Sequence, residues 1–581
     1  MTDLLNWDLQ AMYQSDDLLQ EDIDLVKKEL EKVVEISKNP LENIDKILRA
    51  YESISRKISN IYSYAHMKKD EDSRVSKYQK MNMEIQTVYT DFETKFSFLT
   101  PFLLGLDDET FNEIKNRQDL KTYELTLDKI FRFKPYTLSQ DQEKIVSALS
   151  PVSQAPSEIY YYLTNADMTF PKLESTEEKL SQQTFVKLQY SEDRKIRKEA
   201  FEKFYDTFSS FGNTIASSYY SNVKGLCLEA NLRGYDSARQ MELYRDDVDV
   251  KVYDALIESI HKNMPAIHKY FEIKKRALKL DEQHMYDVYM PITSSFDREY
   301  TFEEAKDLVI ASVEVMGKEY QDIYKKAFEE RWIDVYPRDG KRGGAYSSGS
   351  YDSNPYILLN FNGTLDSVFT LAHEMGHSMH SYYAKKNNSY LEHGYTIFAA
   401  EVASTFNEAL LLNYLMDRLE SDQEKLYLVD FYLNSFKSTV FRQTMFAEFE
   451  RETHRLVEEG NGLTSEDFSS IYLDLNKKYF GPAMVSDERI GYEWMRIPHF
   501  YSNFYVYKYA TGFTASTILA NRVLNKEEGA LENYFKFLKD GNKHFPIDQL
   551  KMAGVDMTDP TTVDEALEVF KKQVEELDKL I

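Results

Sequence analysis

Cysteine is nearly absent from this chain: Cys227 stands alone in 581 residues. A lone thiol cannot close an intrachain disulfide, so nothing calls for an oxidising compartment and a cytoplasmic location is expected. Proline (14) and glycine (20) are sparse for the length, which leaves room for long uninterrupted elements, helices before strands. No apolar run approaches the roughly 18 residues that cross a bilayer. The opening residues, MTDLLNWDLQAMYQSDD, carry neither the basic nor the apolar region of a secretory leader. Basic charge is also short, since 71 Lys and Arg face 97 Asp and Glu for a formal net charge of −26. A field of that sign repels phosphate backbones and anionic membranes, so neither nucleic acid nor membrane is an expected partner. The acidity either serves solubility alone, the favoured reading, or also biases ligand choice toward neutral or basic molecules.

What is present reads as a large helical protein. The length exceeds one simple core and suggests two or three subdomains. From Asp17 to Lys38, Leu18, Leu19, Ile23, Val26, Leu30, Val33 and Val34 recur at helical spacing with charges on the other face. Similar patterns run from Leu41 to Met67 and from Val75 to Phe98. Glu158 to Leu173, with its tyrosine run and turn-like Asn165-Ala166-Asp167, predicts a β-hairpin. Helical patterning resumes from Ser191 to Leu280. Met285 to Ile292, Trp332 to Pro337 and Pro355 to Gly363 predict short strands, and a glycine-rich stretch runs from Asp339 to Ser350. Beyond Asp366 the chain is helical again. The fold class is mainly α, with one small β-sheet just ahead of the most informative helix.

That helix carries LAHEMGHSMH, residues 371–380. His373 and His377 are four apart, one turn along the same helix face, so both imidazoles can reach one ion. Glu374 projects beside them, where it can hold a water; this is the H-E-x-x-H pattern of zinc peptidases. Gly376 costs an interior helix about 1 kcal/mol relative to Ala, which suggests close backbone packing there. A catalytic zinc needs a third protein ligand and one open position. His380 is rotated off the line of the first two histidines. Glu401, in the apolar stretch IFAAEVASTFNE (397–408), is expensive to bury unless paired or metal-bound, and is the better third ligand. Glu408, two turns further along, either orients a ligand or sits in a salt bridge.

HEMGHSMH at 373–380, and FAAEVASTFNE at 398–408 with Glu401 24 residues beyond His377, resemble the thimet oligopeptidase family of zinc metallopeptidases, most closely its bacterial oligoendopeptidase F branch. MRIPHFYSNFYVYKYATG (495–512) and FPIDQLKMAGVDM (545–557) resemble two further blocks of that family. The resemblance implies a helix-rich, two-lobed ellipsoid with a deep channel and zinc on its floor, open to short unstructured peptides. It implies an N-terminal helical lobe over 1–200 and a catalytic domain over 201–581. The strand Tyr356 to Asn362 would be the sheet edge that pairs with an extended substrate. Gly340 to Gly349 would be a mobile loop closing over it, or otherwise an ordinary surface turn.

The expected reaction is hydrolysis of internal peptide bonds of short peptides, with one zinc per chain activating a water and Glu374 as general base. Oxyanion donors are expected in the 495–512 block among His499, Tyr501, Tyr505, Tyr507 and Tyr509, with His499, Tyr501 and Tyr507 preferred. The ligand set also accepts manganese or cobalt. A monomer acting on free peptides is expected. Two other readings stay open: a carboxypeptidase or dipeptidase, with Arg342 or Arg496 holding the terminal carboxylate, and a non-catalytic peptide-binding scaffold with a structural metal.

Overall fold

Helices dominate the computed structural model, which describes residues 5–293, 298–419 and 421–581. Helix Asp16–Ile36 begins where the Ser15 side chain accepts the Leu18 N–H and where Asp16 and Asp17 meet the positive end of the helix dipole. It turns Leu19, Ile23, Val26, Leu30 and Val33 inward, and helices Ile44–Glu71 and Ser76–Phe96 pack against it with similar stripes.

The chain forms two compact units, each assembled from separated stretches. The first comprises Met1–Gln140, Arg298–Leu415 and Leu519–Gly554; the second comprises Asp141–Asp297, Met416–Ile518 and Val555–Ile581. This interleaving differs from the linear boundary expected near residue 200. In the first unit the N-terminal helices close onto residues 331–352. The Asp8 N–H donates to Arg331 O at 2.8 Å, the Arg342 N–H to Asp70 O at 3.0 Å, and Arg56 Nε to Asp352 Oδ2 at 2.8 Å. Partners almost 300 residues apart leave no mark in local composition.

Five short strands occur among the described residues: β1 (Gln283–His284), β2 (Ile333–Asp334), β3 (Tyr346–Ser348), β4 (Tyr356–Leu358) and β5 (Met484–Val485). In the second unit β1 and β5 form a parallel pair. In the first unit the order is β2-β4-β3, parallel on one side and antiparallel on the other, with Ser347 opposite Ile357. The strand starting at Tyr356 is therefore central and fully buried, not the edge expected from the sequence. The edge is β3, which lies inside the glycine-rich stretch. That stretch is anchored: the Lys341 ammonium, with no solvent exposure, pairs with Asp334 and donates to the carbonyls of Tyr336 and Leu359. Gly340 has φ +84°, and a Cβ there would lie 2.1 Å from Asp72 Oδ1, so only glycine passes this point.

Two other expectations are corrected. Glu158 to Leu173 makes no hairpin. Helix Gln140–Tyr162 runs into it and continues as a π-helical turn over Leu163–Asp167. Thr164 Oγ1 donates to Tyr160 O and Asn165 Nδ2 to Tyr161 O, so these side chains extend the helix instead of opening a turn. Met285 to Ile292 is not a strand: it opens with a 3-10 turn, Met285–Asp287. The cause is Asp287, fully buried, which accepts from Arg194, from Arg197 Nη2 at 2.7 Å and from the His284 N–H at 3.0 Å. In the second unit, helices Val250–Ala277 and Pro560–Leu580 pack extensively on each other. No helix among the described residues is long and apolar enough to cross a membrane.

Burial alone would raise the Asp287 carboxyl pKa, but Arg194 and Arg197 hold it below the ordinary value. Its contribution to stability is therefore complete above the ordinary carboxylate pKa and fades as pH falls through the depressed one. Asp287→Ala leaves Arg197 buried without its carboxylate and should destabilise by about 3–5 kcal/mol. The thermal midpoint should drop at neutral pH, and the drop should narrow on acidification.

Candidate metal centre and active site

The helix bearing the H-E-x-x-H motif spans Leu365–Asn387 and starts at Thr364, whose side chain accepts the Ser367 N–H. The next helix, Ile397–Met416, carries Glu401 and Glu408. Both metal-motif helices belong to the first unit over this region. At their crossing a Cβ on Gly376 would sit 2.5 Å from Ala403 O and 2.7 Å from Ser404 Cα. The close approach suggested by a glycine inside this helix is thus a backbone-to-backbone contact. Behind it, Asn407 Nδ2 donates to Ala403 O at 2.9 Å while its Oδ1 accepts from Tyr324 at 2.5 Å and from Tyr320 at 3.3 Å.

This contact places Glu401 against the two histidines. One nitrogen of His373, one of His377 and one Glu401 oxygen lie within 4.8 Å of one another, and His373 Nε2 is 3.8 Å from Glu401 Oε2. Ligands 2.0–2.2 Å from a tetrahedral ion sit about 3.4 Å apart, so the donor set needs only small adjustment to hold one. Among the described residues no other His, Cys, Asp and Glu group has this geometry. Glu408 Oε1 lies 2.5 Å from His373 Nδ1, which fixes the ring and leaves Nε2 facing the cluster. Burial would lower the His373 pKa, but the Glu408 hydrogen bond and charge outweigh it and raise the value to about 9. Burial and the neighbouring His373 push His377 down to about 3, against a backbone hydrogen bond with Ala400.

Glu374 lies on the same helix at 6% exposure, with Oε2 buried and without a hydrogen-bond partner. Burial raises its carboxyl to about 7; His373 opposes this, and Glu401 adds to it. The Ser347 backbone of the edge strand also hydrogen-bonds this carboxylate. Ser347 Oγ is 2.8 Å from Ser378 Oγ, which ties β3 to the motif helix. His380 stands apart, 1% exposed and stacked on Tyr395 at 3.8 Å.

His499, Tyr501 and Tyr507 belong to the second unit. Tyr507 is fully buried, its ring 5.1 Å from Tyr253. Tyr501 stacks on Tyr160 at 4.6 Å, and its hydroxyl is buried. His499 is exposed, with the half-exposed Tyr505 and Tyr509 rings 6.4 and 6.1 Å away. The grouping of His499 with Tyr505 and Tyr509 was not separable from the rest of a tyrosine-rich segment by spacing alone.

The chain belongs to Peptidase family M3, whose pattern matches residues 187–569, and residues 103–170 match Oligopeptidase F. It is therefore a peptidase of that family, and peptides are its substrates. It is 39% identical to Oligopeptidase PepF of Bacillus subtilis, over 99% of this chain and 87% of that one. It is 38% identical to Group B oligopeptidase PepB of Streptococcus agalactiae, over 99% and 97%. Among solved structures, oligoendopeptidase-F from Enterococcus faecium superposes with a TM-score of 0.75 at 34% identity, covering 97% of this chain and 99% of that one. A Chlamydophila abortus structure does so with 0.95 at 34% identity, covering 100% and 99%.

Gly376→Ala forces backbone apart at the helix crossing. Overpacking of this kind costs about 1–3 kcal/mol, more than the helix propensity gained, and should reduce metal retention on dialysis. Glu408→Gln keeps the shape but removes the charge behind His373. Chelator competition should show roughly 10–100-fold weaker zinc binding with little change in thermal midpoint.

Proposed function

We propose that this protein is a zinc-dependent oligoendopeptidase that cuts internal bonds of short unstructured peptides, with His373, His377 and Glu401 as metal ligands and Glu374 as general base. The observation that carries this reading is the unpartnered, buried Glu374 Oε2 beside a three-ligand cluster. Three protein ligands leave a position open, as a catalytic rather than a structural zinc requires. When bound, the ion supplies Lewis acidity that polarises a carbonyl and brings the pKa of water to about 7. Glu374 takes the proton of the attacking water at Oε2 and delivers it to the leaving amine. Its burial-raised pKa suits a group that must both accept and release a proton, although a divalent cation nearby would draw the value down.

The free edge of β3 suits a substrate bound as an added strand, because main-chain hydrogen bonds read a peptide without regard to its side chains. We also assign oxyanion stabilisation to the 495–512 segment, with His499, Tyr501 and Tyr507 as first candidates and Tyr505 and Tyr509 added by their grouping with His499. The exopeptidase reading is weaker. Arg342 is engaged with Asp70 at 3.1 Å and Arg496 with Glu493 at 3.3 Å, so neither cation is spare for a terminal carboxylate.

An internally quenched peptide of about ten residues, with products sized by mass spectrometry, tests the assignment. Internal cleavage is expected for the metal-replete protein and should be lost on chelation and in Glu374→Gln. Trimming from one end only would favour the exopeptidase. Cleavage that survives Glu374→Gln would remove the general base from the scheme.

A further inference from the structure

The helix Arg442–Glu458 carries Glu450, whose side chain has no solvent exposure. Its Oε1 accepts the backbone N–H of Phe504 at 2.8 Å, and its Oε2 is buried without a hydrogen-bond partner. No Lys, Arg or His is recorded within ion-pair distance of it among the described residues, a costly arrangement for a carboxyl group. Burial pushes this carboxyl well above its ordinary pKa, the Phe504 hydrogen bond opposes that, and the charge of Glu242 adds to it.

What it holds is equally unusual. Phe504 has φ +54°, in the left-handed region that side chains other than glycine enter at a cost. Its ring packs 4.4 Å from His454 and 5.9 Å from Tyr253, and the adjacent Asn503 Oδ1 accepts from Asn222 Nδ2 at 2.8 Å. This turn joins the 3-10 turn Pro498–Tyr501 to the helix that begins at Tyr507. It sets His499 on one side against Tyr505 and Tyr509 on the other. A buried carboxyl whose one hydrogen bond goes to a strained backbone N–H adds little to stability by itself, and such strain persists where local geometry is used.

We propose that Glu450 is a positioning residue: its hydrogen bond to the Phe504 N–H fixes the left-handed turn and, through it, the spacing of His499, Tyr505 and Tyr509. This rests on the assignment of the 495–512 segment to the reaction. Glu450 touches no reacting atom, so its loss should act on turnover and not on substrate affinity.

The test compares kcat and KM on the quenched peptide for Glu450→Leu, Glu450→Asp, Glu450→Gln, His499→Ala and Tyr505→Phe, with zinc content and thermal midpoint measured for each. Glu450→Leu removes the acceptor, and Glu450→Asp keeps a carboxyl one methylene short. Both should lose roughly 10–100-fold in kcat with KM within about twofold and zinc content intact, the scale of a small misplacement of reacting groups. Glu450→Gln keeps an acceptor oxygen at the same reach and should restore kcat to within about threefold of the parent, since the hydrogen bond to the Phe504 N–H is retained. If Glu450→Leu does not fold, the Asp and Gln pair carries the same comparison. Parental kcat in Glu450→Asp, or equal loss in Asp and Gln, overturns the proposal. If His499→Ala and Tyr505→Phe leave kcat unchanged, the assignment of the segment fails and this inference with it. If they lower kcat while Glu450→Leu and Glu450→Asp do not, only the inference falls.

Discussion

The two helices that carry the candidate ligands approach more closely than ordinary side chains allow, and the approach is made at Gly376. The missing Cβ lets the motif helix rest on the backbone of Ala403 and Ser404. Asn407, held by Tyr320 and Tyr324, secures the opposing turn. The positions of Glu401 and Glu408 follow, because both ride on the second helix at fixed spacing from that contact. One carboxylate reaches the histidine cluster and the other reaches the far nitrogen of His373. The polar chemistry of the site thus depends on a packing constraint that contains no charge at all.

Electrostatics then divides similar groups into different states. Glu408 commits an oxygen to the His373 ring, whereas Glu374, the next residue along from that histidine, keeps a buried oxygen without a partner. Two histidines of one motif are pushed in opposite directions: Glu408 raises the pKa of His373, while burial lowers that of His377. Residue type alone predicts none of this; the partner on the far side of each ring decides.

Much of the arrangement was legible in the sequence. Helical spacing located the N-terminal helices, and the H-E-x-x-H pattern together with the expense of burying Glu401 singled out three side chains that the fold brings within 4.8 Å of one another. A costly glycine announced the close contact. The misses share a cause, since each depended on partners distant in the chain or on side-chain bonds to the backbone. The tyrosine run at 158–162 looked strand-like, but Thr164 and Asn165 prolong a helix. The strand at Tyr356 was found, but its place in the middle of the sheet depends on β2 and β3, which flank it for reasons no local pattern records. Glu450 belongs to no motif, and its role is visible only through the conformation of Phe504.

The three candidate ligands fall within 29 consecutive residues, on two adjoining helices that pack backbone against backbone at Gly376. A site built this way takes its shape from helix packing and not from a metal staple. In small zinc-stapled domains the free energy of metal binding is the free energy of folding, so loss of the metal is loss of the fold. Here the ion would meet a finished cradle, and the two equilibria separate. Under the proposed function, metal supply would then set the active fraction of a standing pool of folded protein, without synthesis or degradation of the chain.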